Sequence, residues 1–285
     1  MVGKSHEVCY MLEPFNYHYG PGICNAPFQV HFPYITEENE DLYHDHIMQT
    51  VNYKYHFWQE LKSVKSTWQL RCCLTDFLRF KVAKLKGKRP LFKDPIAFFS
   101  APWLQKRFNF QVVVLIRHPA AFASSIKRLN WSHPFGDFLK QKELINGPLK
   151  DYRCQIEDYA RKERGIIDQS ILLWNIFYST VLRYKEEHPD WQFLRHEDFS
   201  KDAAHSFEFL FKRLNLDFSE AIKRSILEYS SSSNPVESPE NQTIIKMDSR
   251  QNITNWKKRL SPEEIDQIKS GVAEVSPYFY KEHEW

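Results

Sequence analysis

The stretch QVVVLIRHPAAFASSIKRL, Gln111 to Leu129, decides how the chain reads. Val112 to Ile116 is aliphatic without alternation, the mark of a strand covered on both faces. Pro119 suits the first turn of a helix, where a missing N–H does no harm. Arg117-His118 therefore sits where a strand gives way to a helix. Ligands of open α/β sheets gather beyond the carboxyl ends of strands, where helix N-termini offer free N–H groups and positive dipole ends. Ser125 follows two helical turns on, about 10 Å from Arg117 at ~1.5 Å of rise per residue. A guanidinium brings paired donors and fixed charge, and a hydroxyl adds a neutral donor, so the two can share one phosphate. The same residues also fit an arginine capping a strand end and a serine buried against a neighbouring helix.

Around this junction, helical and strand patterns alternate. Glu13 to Pro33, rich in Pro, Gly and aromatics, reads as a loop. Asp41 to Lys86 reads as helix in two pieces that separate near Lys65-Ser66, with Leu70, Leu74, Phe77, Leu78, Val82 and Leu85 at helical spacing. Pro90 to Lys93 is a short strand closed by Asp94-Pro95, and a helix follows through Trp103 and Leu104. Ile167 to Tyr184 is a long amphipathic helix, and Trp191 to Arg195 is a strand. Helices are expected over Ala203–Leu214 and Ser219–Tyr229. The polar stretch from Ser230 to about Asn255 is long for a structureless loop, and such loops serve as lids or binding segments. Ser261-Pro-Glu-Glu then opens a last helix with N-cap, N1 proline and acidic first turn in place. The alternation indicates an α/β fold with a mainly parallel sheet flanked by helices, in a single domain over 1–285.

Composition narrows the function classes. With 42% hydrophobic and 26% charged residues, the 285-residue chain can bury a large core. A net charge of +3 is too mild for a nucleic-acid coat but leaves room for one basic pocket that takes an anionic ligand. Five cysteines, an odd number without a CxxC, point to reduced thiols and a cytoplasmic setting. No run approaches the ~20 apolar residues of a membrane span, and MVGKSHEVCYMLEPF lacks the apolar centre of a secretory signal. His44 and His46 form an HxH pair with no third ligand evident nearby, so no metal is expected.

Arg117-His118-Pro119, with Ser125 eight positions after the arginine, resembles the 3′-phosphate-binding motif of sulfotransferases that use 3′-phosphoadenosine 5′-phosphosulfate (PAPS). His118 stands where the family usually has Asp. Four more segments occur in the family's order. Glu13-Pro14-Phe15-Asn16 looks like the early acidic segment that supplies a base, and Leu91 to Pro95 like the strand whose lysine faces the sulfuryl group. Leu194 to Phe199 is similar to an aromatic-rich element near the adenine, and Asn255-Trp256-Lys257 to the terminal W-K segment. The resemblance implies a P-loop-type sulfotransferase fold and sulfuryl transfer to a hydroxyl of a carbohydrate or small metabolite, without a metal.

It also implies roles. Glu13 would be the general base and Lys93 the cation facing the transferred group. Arg117 and Ser125 would hold the 3′-phosphate, His196 would line the cofactor, and Arg250 would close over it. A surface glutamate before a turn, a solvated lysine, a structural histidine and an exposed loop arginine are the plain alternatives. The family's R-S-G-T-T-like loop, whose N–H groups grip the 5′-phosphosulfate, has no counterpart here; Leu85 to Pro90 is basic but lacks the preceding strand and following helix. The chain is thus expected to be truncated by one strand and half its donor site, with weak donor affinity and little or no activity. Two other readings stay open: a catalytically dead scaffold that binds adenosine 3′,5′-bisphosphate or a partner, and a nucleotide-dependent phosphotransferase. The second would need a Walker-type loop and an acidic Mg²⁺ ligand, and neither is evident. Oligomeric state is not legible.

Overall fold

The computed structural model describes residues 1–237 and 246–285. Its contacts divide into two compact units, Met1–Phe110 with Asp137–Leu144, and Gln111–Gly136 with Ile145–Trp285. The fold is mixed α/β with small parallel sheets: among the described residues there are two, of two strands each, rather than one mainly parallel sheet.

In the first unit, β1 (Val8–Leu12) pairs in parallel with β2 (Arg89–Lys93), Val8 opposite Arg89 and Leu12 opposite Lys93. Parallel neighbours need a long crossover, here built from α1 (His44–Val51), α2 (Phe57–Ser63) and α3 (Thr67–Leu85). α4 (Ala101–Phe108) follows β2 and buries Trp103 and Leu104 in a core with Phe15, Phe28, Ile35, Ile47 and Ile96. The expected loop from Glu13 to Pro33 carries no helix or strand.

Three expectations change in this unit. Met1 to Val8 reads as a helix tail and turn, yet a 3-10 turn (Val2–Lys4) leads into β1, which buries Val8, Cys9 and Met11. The helical region breaks twice, near Lys65 as expected and again after Val51, where Tyr53 takes a left-handed φ of +61°. Tertiary contacts hold that break: the Tyr53 hydroxyl donates to Lys88 O at 2.6 Å, and its ring meets Phe80 edge-on. The α3 stripe keeps its helical spacing but faces solvent except at Phe77, which is half-buried against Tyr55 and Phe57. Cys73, Phe80 and Ala83 are the buried residues of α3, while Leu78 is 61% exposed and Leu85 86%.

In the second unit, β3 (Val113–Ile116) pairs in parallel with β4 (Gln192–Arg195), Ile116 opposite Arg195. The expectation of a strand covered on both faces fails at Leu115, which is 60% exposed beside a buried Ile116. A two-stranded ribbon has too little breadth to carry cover on each side, so one face of β3 meets water. α5 (Pro119–Leu129) starts on the expected proline and buries Ala120, Ala121 and Ala123, whose small side chains let it lie against the helix Ile166–Glu187. It ends at Asn130, left-handed at φ +46°, whose N–H returns to Ile126 O and Lys127 O. Trp256, Leu260 and Ile268 complete this core. The last helix, Pro262–Gly271, carries the expected N-cap as a full capping box between Ser261 and Glu264. Within the long polar stretch, 238–245 lies outside the described residues and Ser249–Asn252 forms a short helix; another, Trp256–Arg259, follows directly.

Asp94 organises the tip of β2. Its Oδ2 accepts from Phe15 N at 2.7 Å, and its Oδ1 accepts from Ile96 N at 3.0 Å and Ala97 N at 3.2 Å. Asp94→Asn replaces one acceptor oxygen with a donor facing a backbone N–H. We expect a loss of about 1–3 kcal/mol in urea unfolding; an unchanged midpoint would show that these three bonds do not hold the turn.

Candidate functional site

Charged side chains gather at the carboxyl ends of both strand pairs. In the first unit, the Glu13 N–H donates to Lys93 O at 3.0 Å, extending the ladder by one residue. Glu13 then turns left-handed, φ +46°, a conformation that costs a non-glycine residue roughly 1 kcal/mol or more. Lys93 Nζ meets its Oε1 at 2.9 Å, and Asn16 Nδ2 donates to its Oε2 at 2.9 Å. The lysine is half-exposed, so the ion pair adds little stability. Its interest is chemical: a carboxylate and an ammonium held together at a strained strand tip. Nearby, partial burial and then the Glu13 carboxylate push the Tyr19 phenol up, so it stays a neutral hydrogen-bond donor. Burial pushes Asp94 up to about 6 despite its three backbone donors.

In the second unit, buried side chains fix the junction of β3 and α5. The Arg117 N–H donates to the Tyr178 hydroxyl at 2.7 Å, and Trp174 Nε1 donates to Arg117 O at 3.1 Å. The His118 N–H donates to Glu197 Oε1 at 2.9 Å, while the Tyr280 hydroxyl donates to Glu197 Oε2 at 2.8 Å. His118 is the N-cap of α5: its Nδ1 accepts from Ala120 N at 3.3 Å, which makes the ring neutral. The ring stacks on Trp256 at 5.1 Å and meets Tyr280 and Trp285 edge-on. In that apolar cage burial pushes His118 down to about 4. His118 is thus structural here, doing for the helix start what an Asp does through its carboxylate oxygen.

Arg117 itself is left over. Its Nε is buried and has no hydrogen-bond partner among the described residues, and the same holds for Ser124 Oγ on α5. Burial pushes the Arg117 guanidinium down, and the charge of Arg259 pushes it the same way. His196 is lowered by burial and then by the Arg117 charge. Register explains the pairing of the last two: Ile116 lies opposite Arg195, so Arg117 and His196 are the next residues on each strand. The Glu197 carboxylate favours the charge, Arg259 opposes it, and the lowered His196 stays neutral, so burial is the main cost that an anion on the guanidinium would relieve.

The other expected residues are placed as follows. Ser125 is half-buried on α5. The Arg250 Nε donates to Lys201 O at 3.0 Å. Of the late arginines it is Arg259, itself paired with Glu237, whose charge acts on Arg117. Sequence reading gave no role to Asn16 and Glu197, although both fall in segments it singled out, and missed Trp174, Tyr178 and Arg259. Trp174 and Tyr178, four apart on one helix face, were the available signal. A hollow of about 400 Å³ borders Ile116, Leu194, Arg195 and Phe199, and neither Arg117 nor His196 lines it. No group of three or more His, Cys, Asp or Glu among the described residues could hold a metal ion, and all five cysteines are free thiols.

No protein-family model and no curated protein matches the sequence. Among solved structures the chain is similar to a "Sulfotransferase Domain from the Curacin Biosynthetic Pathway", at 13% identity and a TM-score of 0.42, over 93% of this chain and 96% of that one.

His118 carries a pH signature with a definite sign. Its folded value, about 4, lies below the 6.5 of an unperturbed imidazole, so the unfolded chain binds the proton more readily. Its contribution is complete above pH 6.5 and is lost as pH falls toward 4, about 3 kcal/mol in all. Unfolding titrations should show this slope in the native chain and a shallower one in His118→Asn, which keeps a capping oxygen. Equal slopes would place the ring in water.

Proposed function

We propose that the chain binds the ribose 3′-phosphate of PAPS or of its product at Arg117, and serves sulfuryl transfer to a hydroxyl of a carbohydrate or other small metabolite. The observation that carries this is the buried Arg117 Nε, without a partner among the described residues, at a strand end where a helix begins. A phosphate fits the donor set: the guanidinium offers charge and paired N–H groups, and Ser124 and Ser125 on α5 offer hydroxyls. Arg259 adds positive potential beside the anion, neutral His196 can line the nucleotide, and Arg250 stands in the same late segment as Arg259. The order of the five family-like segments supports a P-loop-type sulfotransferase architecture.

PAPS would supply an activated sulfuryl group on a good leaving phosphate. The protein's part is acid–base and electrostatic. The Glu13 carboxylate takes the proton from the acceptor hydroxyl as its oxygen attacks sulfur in line. The sulfur–oxygen bond to the 5′-phosphate breaks, and Lys93 offsets the charge that develops. For Glu13 to act, Lys93 must leave its Oε1 and turn to the sulfuryl group. Because both Glu13 oxygens are engaged, by Lys93 and Asn16, a second reading has support: a domain that binds adenosine 3′,5′-bisphosphate without transfer.

Calorimetry with adenosine 3′,5′-bisphosphate tests the binding claim. We expect saturable binding, tighter than for adenosine 5′-monophosphate, and a loss of about 10- to 100-fold in Arg117→Met, the scale of a hydrogen bond to a charged group. No binding, or equal affinity for the two nucleotides, would overturn it. A sulfur-transfer assay then separates the two readings: turnover lost in Glu13→Gln with bisphosphate affinity retained supports catalysis, and binding without turnover supports the second.

A further inference from the structure

α3 is a helix held on one side only. Cys73, Phe80 and Ala83 face the core, where Phe80 meets Tyr53 and Tyr55. On another side Leu70, Leu74, Leu78, Val82 and Leu85 are all exposed, and they fall within an arc of about 120° at 3.6 residues per turn. Trp68, 71% exposed, stands in the first turn. Arg71, Lys81, Lys84 and Lys86 are exposed on the same helix or just beyond its end. From Thr67 to Lys88 the single acidic residue is Asp76, and Arg79 pairs with it at 2.9 Å. The outward stripe is therefore apolar, flanked by positive charge, and without local compensation.

Three kinds of occupant could cover such a stripe, and the charges and the anchoring choose among them. A second copy of the same stripe would bring like charges together. An acidic protein groove that wraps a target helix needs access around most of it, and the inner face of α3 is committed to its own core. A flat anionic surface needs one face only. We propose that α3 is an interfacial helix that seats the protein on a bilayer containing acidic lipids, its leucines at the acyl boundary, its lysines and arginines among the headgroups and Trp68 at the interface. This is association in the plane of the surface, since no helix among the described residues is long and apolar enough to cross a membrane. It stands independently of the sulfuryl-transfer reading.

Co-sedimentation of the full chain with vesicles tests it. We expect binding to phosphatidylcholine/phosphatidylserine vesicles, little to phosphatidylcholine alone, and weakening by salt. Lys81→Glu/Lys84→Glu should lower the partition coefficient by roughly thirtyfold or more, at about 1 kcal/mol of attraction to acidic lipid per basic residue. Leu74→Ser/Leu78→Ser should lower it too, with circular dichroism unchanged because both leucines are exposed. Lys212→Glu/Lys223→Glu, the same charge change on other exposed positions, should retain binding. Failure to bind acidic vesicles would overturn the proposal. So would equal losses in the two charge variants, a leucine-dependent dimer in sedimentation, or capture by calmodulin without vesicle binding.

Discussion

The Glu197 carboxylate, buried in the second unit, accepts from the His118 N–H on one oxygen and from the Tyr280 hydroxyl on the other. Together with Tyr178 and Trp174 it gives the backbone of Arg117-His118 a side-chain partner for each N–H and for the Arg117 carbonyl. An unpaired buried donor costs on the order of 1–3 kcal/mol, so such saturation fixes a junction in one geometry. It also isolates what remains. With the local acceptors occupied, the Arg117 Nε is buried with no partner among the described residues. Burial disfavours the guanidinium there, although the Glu197 carboxylate favours it, and an open N–H on a fixed charge is what the proposed anion would use.

The two units repeat one idea. Parallel pairing carries adjacent strand ends to the same rim, so residues distant in sequence become neighbours there: Glu13 with Lys93 after β1 and β2, and Arg117 with His196 after β3 and β4. One rim holds a carboxylate and an ammonium in an ion pair; the other holds a buried guanidinium whose Nε has no partner among the described residues.

Features set by local chemistry were legible in the sequence. The proline at the start of α5 and the serine, proline and glutamates of Ser261–Glu264 mark their helices without tertiary help. β2, β4 and the helix Ile166–Glu187 also lie close to where their patterns place them. Features set by neighbours were not. β1 is five residues without alternation, and only its pairing with β2 makes it a strand. The orientation of α3 cannot be read from its periodicity, because two of its faces carry apolar residues and only the structure shows which one Tyr53 and Tyr55 cover. At the candidate sites, Lys93 and Arg117 were readable as residue types at strand ends, and Glu13 as a residue type at the start of a loop. Glu197 and Arg259 act through contacts that no spacing encodes.

A crystal structure of the chain with adenosine 3′,5′-bisphosphate tests the central claim most directly. The account predicts 3′-phosphate oxygens within about 2.7–3.2 Å of the Arg117 guanidinium nitrogens, with the Glu197 and Tyr178 bonds to the junction unchanged. A nucleotide ordered elsewhere, with the Arg117 Nε still unpartnered, would contradict it.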